Sequence, residues 1–475
     1  MIEHRPFDEV ALLARSTNAR NTPPKEVPMS EIESSEVVTQ SSAPQAPPPR
    51  QPKRVWFSSF IGAAIEFYDF SIYATAAALV FGPLFFSPAQ ASVGVVLSFL
   101  TLAAGYIARP VGAIVFGHFG DKIGRKTTLI TTVVLMGVAT TLIGILPTYE
   151  SVGALAPVLL VTLRVVQGLS VGGEWGGAVV MTTEHSSTKN RSFMGSATAM
   201  GSALGVLLGF AAFSIVVSAT GDNFLTWGWR LPFLVTVVLF GLAVYMRLRI
   251  TESPVMVEAA EKSTPATRLP ITVVFTQYAK PVALAAGVFA GPFMIQASLG
   301  TFFTSYGITE LGMTRSNLLN ASMIGVAFSF IGIPIGGLLA DKFGRRRVLG
   351  IGVTLATLNL VALYPLFTSA TTVGVTVGFV LVWTFHSLCV APIGALYSEL
   401  FPTAVRYTGV GMSYQIASLV GGGLGPVAAS LLVANGLGLG SVFALLAFFF
   451  LLAGYCIYRL PRTDNLDLRN VGQLD

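Results

Sequence analysis

The chain has 475 residues, of which 53% are hydrophobic and only 11% charged, against roughly 25% charged in an ordinary soluble protein. So little charge cannot cover a soluble body of this size, which excludes a soluble enzyme, a nucleic-acid reader and a secreted disulfide scaffold. The only cysteines, Cys389 and Cys456, both lie in apolar runs, and the composition is that of a membrane protein.

Residues 1–54 hold 9 of the 26 prolines and equal numbers of acidic and basic residues, seven of each. With no apolar run to bury, they read as a disordered cytoplasmic tail without the pattern of a signal peptide. Twelve apolar segments follow, at 55–80, 91–117, 127–147, 156–183, 192–218, 229–248, 280–304, 317–340, 347–368, 373–397, 407–433 and 441–460. Each is near the ~20 residues that a spanning helix needs. They are too long and too uniformly apolar for the ~10-residue alternating strands of a membrane barrel. The expected fold is therefore an all-α membrane protein of two six-helix bundles, 55–248 and 280–460. A cytoplasmic linker, 249–279, joins them, and a cytoplasmic tail, 461–475, follows.

Orientation follows from Lys and Arg. With the N-terminus cytoplasmic, 25 of the 29 basic residues fall on the cytoplasmic side, five of them in the loop after the sixth segment. That bias is the positive-inside signature and accounts for the net charge of +6 through anionic lipid, with no nucleic acid. The remaining four are Arg109 and Arg164 inside segments, Arg230 at an outer end and Arg315 in an outer loop.

The two halves repeat. Gly117-His118-Phe119-Gly120-Asp121-Lys122-Ile123-Gly124-Arg125-Lys126 follows the second segment, and Gly337-Leu338-Leu339-Ala340-Asp341-Lys342-Phe343-Gly344-Arg345-Arg346 follows the eighth. A Glu, six residues, then an Arg also recurs, as Glu184 to Arg191 and Glu399 to Arg406. Matched halves point to a duplicated transporter with its site between them. Gly117 and Gly337 allow close helix approach, while Gly124 and Gly344 permit tight turns. Asp121 and Asp341 suit helix N-termini, and the neighbouring arginines can reach Glu184 or Glu399.

This loop resembles the signature of the major facilitator superfamily. Ile65-Glu66-Phe67-Tyr68-Asp69-Phe70, Ala108-Arg109-Pro110-Val111-Gly112, Arg164-Val165-Val166-Gln167-Gly168, Gly228-Trp229-Arg230-Leu231-Pro232-Phe233 and Tyr397-Ser398-Glu399-Leu400-Phe401-Pro402 are similar to its metabolite:H+ symporter family. The resemblance runs from about 56 to 460 and is nearest in flavour to shikimate-type members. It implies a monomeric inner-membrane carrier coupled to protons. Family cargoes include oxoglutarate, citrate, shikimate, aromatic carboxylates, proline and betaine. The loops would act as an interdomain latch that stabilises the outward-facing state. The fifth segment lacks the Gly-Pro pair of the antiporter branch, which favours symport.

Charges inside spans each need a reason, because burying one costs roughly 2.5–3.5 kcal/mol on insertion scales. Glu66 and Asp69 share a helix face with Tyr73. Two carboxylates in a poorly hydrated site cannot both ionise easily, so the pair either carries a proton or neutralises an intramembrane Arg. Arg109 and Arg164 can grip a carboxylate cargo with paired hydrogen bonds, Arg164 being the stronger candidate, or form ion pairs with Glu66, Asp69 or Glu174. Gln167 could offer its amide to cargo while Glu174 joins a charge network. His386 is a candidate proton carrier or a hydrogen-bonding residue, whereas His118 and His185 are expected in solvated loops. Tyr68, Tyr73 and Tyr414 are candidate cargo contacts. Gly201, Gly205 and Gly209 form a packing stripe, and Gly421 to Gly423 with Gly425-Pro426 loosen the eleventh segment.

There is no phosphate-binding Gly-Lys loop and no metal-ligand spacing, so neither ATP nor a cofactor is expected and the proton is the coupling ion. The expected function is uptake of a small carboxylate-bearing metabolite with protons by alternating access. A proline/betaine-type zwitterion symporter, an efflux carrier, and a membrane enzyme or sensor are the rival readings.

Overall fold

The computed structural model of the chain describes residues 49–86, 91–262, 269–463, 466–469 and 471, so the expected tail up to residue 48 lies outside them. Twelve principal helices carry the fold: α1 (Pro52–Ala76), α2 (Ala91–Lys122), α3 (Arg125–Ile145), α4 (Leu155–His185), α5 (Ala197–Thr220), α6 (Thr236–Leu248), α7 (Ala279–Ser298), α8 (Arg315–Phe343), α9 (Arg345–Thr368), α10 (Thr372–Val390), α11 (Arg406–Ala417) and α12 (Gly438–Arg459). Each of the twelve expected segments falls on helix.

Among the described residues, ten helical stretches are long and apolar enough to cross a membrane. An eleventh is counted if α1 and the following Leu79–Phe85, bent 42° from it, form one span. The segment expected at 91–117 lies in α2, outside that count. The expected linker is partly helical, with Pro254–Lys262 and Pro270–Gln277 each opened by a proline, which suits the first turn because its missing N–H would be unbonded there anyway.

The burial pattern is inverted relative to a soluble protein. Val238, Ile215, Val361 and Leu451 are exposed, whereas Glu66, Asp69, Arg164, Glu174 and Arg247 are buried. An apolar exterior around a charged interior is the arrangement a lipid solvent selects.

Since hydrocarbon gives no hydrophobic drive between helices, close backbone approach does the work. The Gly201–Gly205–Gly209 stripe of α5 lies directly on α1: a Cβ at Gly209 would stand 2.6 Å from the Ser71 Cβ. The α2–α4 pair closes in the same way, where a Cβ at Gly168 would stand 2.9 Å from that of Ala108. Wider π-helical turns follow α1 (Ala77–Phe81), α7 (Leu299–Phe303) and α11 (Ser418–Leu424). The last contains Gly421 to Gly423, the stretch expected to loosen that helix. Gly124 and Gly344, at φ +134° and +95°, make the two matched turns α2–α3 and α8–α9 in backbone regions that disfavour any side chain.

Candidate functional site

The first feature is a pair of matched clusters at the end of the molecule that carries these two turns, here called the basic end. Asp121 accepts hydrogen bonds from the backbone N–H of Tyr407 (3.0 Å) and Thr408 (2.9 Å) and from the Thr408 hydroxyl (2.8 Å). Those N–H groups open α11, where a helix leaves donors without intrahelical partners and favours a carboxylate. Asp341 does the same for the other half, accepting from Ser192 (2.8 Å) and Phe193 (2.9 Å) at the start of helix Arg191–Gly195. Each aspartate belongs to one half and each helix start to the other. Gly117 and Gly337 permit the contact: an added Cβ would lie 2.9 Å from the Thr408 Cα or the Phe193 Cα.

Charge relays run beside both aspartates. Arg125 pairs with Asp121 (3.2 Å) and Glu184 (3.5 Å), and Glu184 pairs with Arg406 of the other half (2.6 Å). In the mirrored relay Arg345 stands 2.8 Å from Glu399 and 4.0 Å from Asp341, and Glu399 pairs with Arg191. The final segment crosses both relays. The Leu466 carbonyl accepts from Arg191 (2.9 Å) and the Leu468 carbonyl from Arg406 (2.7 Å). Glu252, in the linker, caps α3 through the backbone N–H of Arg125 and Lys126 at 3.1 Å each.

The second feature is the set of charges deep in the N-terminal bundle. Asp69 is 1% exposed and accepts from the Gln167 amide at 3.1 and 3.0 Å. That amide also donates to Thr140 (2.8 Å), and its oxygen accepts from Arg164 (3.2 Å). The amide expected to face cargo is thus spent on joining Asp69 to Arg164. The Arg164 guanidinium carbon lies over the Tyr73 ring, 4.0 Å from its centre, in a space that exists because residue 105 is glycine. A Cβ there would come within 2.7 Å of the Arg164 Nε.

Arg109 is different. It is half-buried, sits over the rings of Tyr106 (4.3 Å) and Phe70 (5.2 Å), and donates to Ser418 (3.3 Å) in the other half. No carboxylate lies in ion-pair range of Arg109 or Arg164 among the described residues, so the expected pairs with Glu66, Asp69 or Glu174 are not formed. Glu174 is ion-paired instead with Arg247 and accepts from Thr132 (2.8 Å). Arg247, counted above with the loop after the sixth segment, is 1% exposed on α6, and Gly62 leaves the room it fills. Glu66 is 6% exposed, and no hydrogen bond or ion pair reaches its carboxyl among the described residues. The charged groups near it are Glu174, Arg109, Arg247 and Asp69.

The third feature is a cavity between the halves, lined by Trp175 of α4, Phe289 and Gln296 of α7, Trp383 and His386 of α10 and Tyr414 of α11. Tyr414 stacks on Trp175, ring centres 3.4 Å apart. His386 is 5% exposed, and neither ring nitrogen has a hydrogen-bond partner among the described residues. Tyr68 and Tyr73 do not line this cavity. The Tyr68 hydroxyl donates to the Pro232 carbonyl (3.0 Å) and that of Tyr73 to Thr101 (2.7 Å), inside the N-terminal bundle. Both expected loop histidines sit in helix: His185 is fully buried, facing the Met181 carbonyl at 3.0 Å, and His118 is half-buried on α2.

Sequence reasoning missed Arg247, Ser418, Tyr106 and Trp383. Arg247 sits two residues from Arg249 at the end of an apolar run, and only its phase on the helix tells the buried one from the exposed one.

Paired halves, matched charge clusters at one end and two arginines of the N-terminal bundle without an ion-pair partner among the described residues are features of a membrane carrier. The description "Major Facilitator Superfamily" matches residues 59–415 and 321–473, and the chain belongs to that family of transporters. It is 38% identical over 401 residues to the inner membrane metabolite transport protein YhjE of Escherichia coli (strain K12), covering 82% of this chain and 89% of that one. It is 36% identical to the shikimate transporter of the same strain over 391 residues, covering 80% and 88%. The fold superposes on the proton:xylose symporter XylE bound to 6-bromo-6-deoxy-D-glucose with a TM-score of 0.72, covering 89% of this chain and 98% of that one at 16% identity. The protein is a multi-pass membrane transporter and not an enzyme.

Proposed function

We propose that this transporter imports a small carboxylate-bearing metabolite together with a proton, and that Arg109 holds the carboxylate while Glu66 carries the proton. The observation that carries the reading is the charge count of the N-terminal bundle. Glu66, Asp69 and Glu174 face Arg109, Arg164 and Arg247, yet only Glu174 and Arg247 form a direct ion pair. Six ionised groups balance, so an arriving anion adds one uncompensated negative charge in a medium of low dielectric. Proton uptake on the unpartnered Glu66 removes it, and cargo and proton then cross as a neutral set. Asp69, tied to Gln167 and through it to Arg164, is the second candidate carrier. Arg109 is favoured over Arg164 for cargo because it is the less enclosed of the two and touches both halves.

Alternating access would proceed by release of the two gates at the basic end. That end is assigned to the cytoplasm, with both termini, on the distribution of Lys and Arg, and a monomer suffices because both gates close within one chain. A zwitterion symporter is the second reading, favoured by Glu66 itself, whose free carboxylate would meet an ammonium group.

The test is uptake by proteoliposomes under an imposed inward proton gradient, with shikimate, malate and glycine betaine as probes. Carboxylate accumulation that collapses with a protonophore is the expected result. Accumulation indifferent to the protonophore overturns proton coupling. Uptake of betaine alone, whose carboxylate is balanced by its own ammonium group, overturns the anionic-cargo reading in favour of the zwitterion one.

A further inference from the structure

The start of α9 and the end of α12 bring together four arginines that the two gates do not use. Arg346 donates to the Leu460 carbonyl (2.8 Å) and to that of Tyr458, and its guanidinium carbon stands 6.0 Å from the centre of the Tyr458 ring. Arg459 donates to the Tyr455 hydroxyl (3.2 Å), with its guanidinium carbon 5.8 Å from the centre of that ring. Arg347, beside Arg346, and Arg462, just past Arg459, are exposed. No carboxylate lies in ion-pair range of any of the four among the described residues. Like charges gathered at one corner repel one another, and carbonyl and ring contacts hold these in place without neutralising them. A guanidinium carries five N–H donors, so Arg346 and Arg459 each keep donors beyond the contacts they make.

The corner stands at the end of an apolar strip. α9 and α12 lie side by side from this contact to the Tyr364–Phe443 ring pair, 5.1 Å apart, near their other ends. Exposed residues recur at helical spacing on both: Arg347, Ile351 and Leu358 on α9, and Leu451, Tyr455 and Tyr458 on α12. Each set makes one stripe that turns away from the protein core. Followed towards the basic end, the strip passes from alkyl side chains to phenols and then to guanidinium groups. A phospholipid presents its acyl chain, ester region and phosphate in the same order, and tyrosine favours that interfacial level because one end of it is apolar and the other wet.

We infer that this corner is a binding site for an anionic phospholipid of the leaflet at the basic end, its phosphate held by the arginines and its acyl chains laid along the α9–α12 strip. The planar guanidinium matches two phosphate oxygens at once. A zwitterionic lipid offers the same phosphate but brings its own cation, which the cluster repels. The inference is independent of the cargo and proton assignments, since both helices belong to the C-terminal half and the four arginines lie outside the central site.

The experiment titrates purified full-length protein in neutral detergent with dioleoyl-phosphatidylglycerol or dioleoyl-phosphatidylcholine and counts bound lipid by native mass spectrometry. Wild type is expected to bind the first phosphatidylglycerol about tenfold or more tightly than phosphatidylcholine. Each arginine removed should cost about fivefold, the attraction of one basic residue for anionic lipid. Arg347→Gln with Arg459→Gln and Arg462→Gln should therefore weaken phosphatidylglycerol binding about 30-fold or more and leave phosphatidylcholine within twofold. Arg346 stays in place because it bonds the end of α12. Melting of the triple variant in detergent should match wild type, and Arg459→Gln alone, expected to lose about fivefold, tests the same point with a single change. The control neutralises three exposed basic residues of the other half, Lys53, Arg54 and Lys122, and should change the first binding event less than twofold. Equal binding of the two lipids by wild type, or equal weakening by the control, overturns the site in favour of diffuse surface charge. Displacement of phosphatidylglycerol by excess inorganic phosphate overturns the lipid assignment in favour of a soluble anion.

Discussion

Replacing Asp121 by Asn tests whether the matched aspartates act as gates. The carboxylate takes three hydrogen bonds from the start of α11, and the amide of similar shape has one acceptor oxygen. At least one donor therefore faces an NH2 group. A hydrogen bond to a charged group is worth about 1.5–3 kcal/mol, and these bonds join the two halves. Their loss falls on the conformation in which the halves meet at the basic end and spares the one in which they part. The population of the parted state should rise about 10- to 150-fold relative to the joined state. Spin labels at Ile123 and Phe343, both exposed and one in each half, would report it as a growing long-distance component in pulsed dipolar spectroscopy. Asp341→Asn should produce a shift of similar size, because its two bonds to Ser192 and Phe193 repeat the geometry. Unchanged distance distributions in both variants would show that the carboxylates cap helices without setting the equilibrium between states, and the gate reasoning would fall.

Two further expectations follow from buried charges. Arg247→Leu strands Glu174, and removing one partner of a buried ion pair costs about 3–5 kcal/mol. The variant should melt well below wild type in detergent, and Arg247→Leu with Glu174→Leu should recover most of the loss; a double variant no better than the single one refutes the pairing as the cause. Deleting residues 461–475 removes the Leu466 and Leu468 carbonyls from Arg191 and Arg406, which should raise the long-distance component for the same label pair, and an unchanged distribution would exclude the segment from the gates.

The sequence made the gates easy to read and the centre hard. Gly124, Asp121 and Arg125 recur at the same spacing as Gly344, Asp341 and Arg345, and their partners Glu184 and Glu399 recur as well. Repetition within one chain exposes a structure that must be built twice. The central charges occur once each, and their pairing depends on how far each helix is rotated about its own axis. Apolar periodicity cannot report this when lipid and protein neighbours are equally apolar. Hence Glu174 looked available to Arg109 until α6 brought Arg247 to it, and Gln167 looked available to cargo until α1 brought Asp69 against it. Gly62 and Gly105 are the quiet signals of those pairings, since each leaves the volume that an arginine fills.

The symmetry of the gates and the asymmetry of the centre have different physical origins. On the proposed alternating access, parting the halves at the basic end would break both aspartate contacts together, so the two clusters would share the cost. A cargo of the proposed kind would bind once at the centre, and nothing there would require the halves to match. Among the described residues the N-terminal half holds the buried charges Glu66, Asp69, Arg164, Glu174 and Arg247, and α10 carries His386 and Trp383. A proton carrier belongs with the charges, because its protonation can compensate an arriving anion only at short range in a low dielectric.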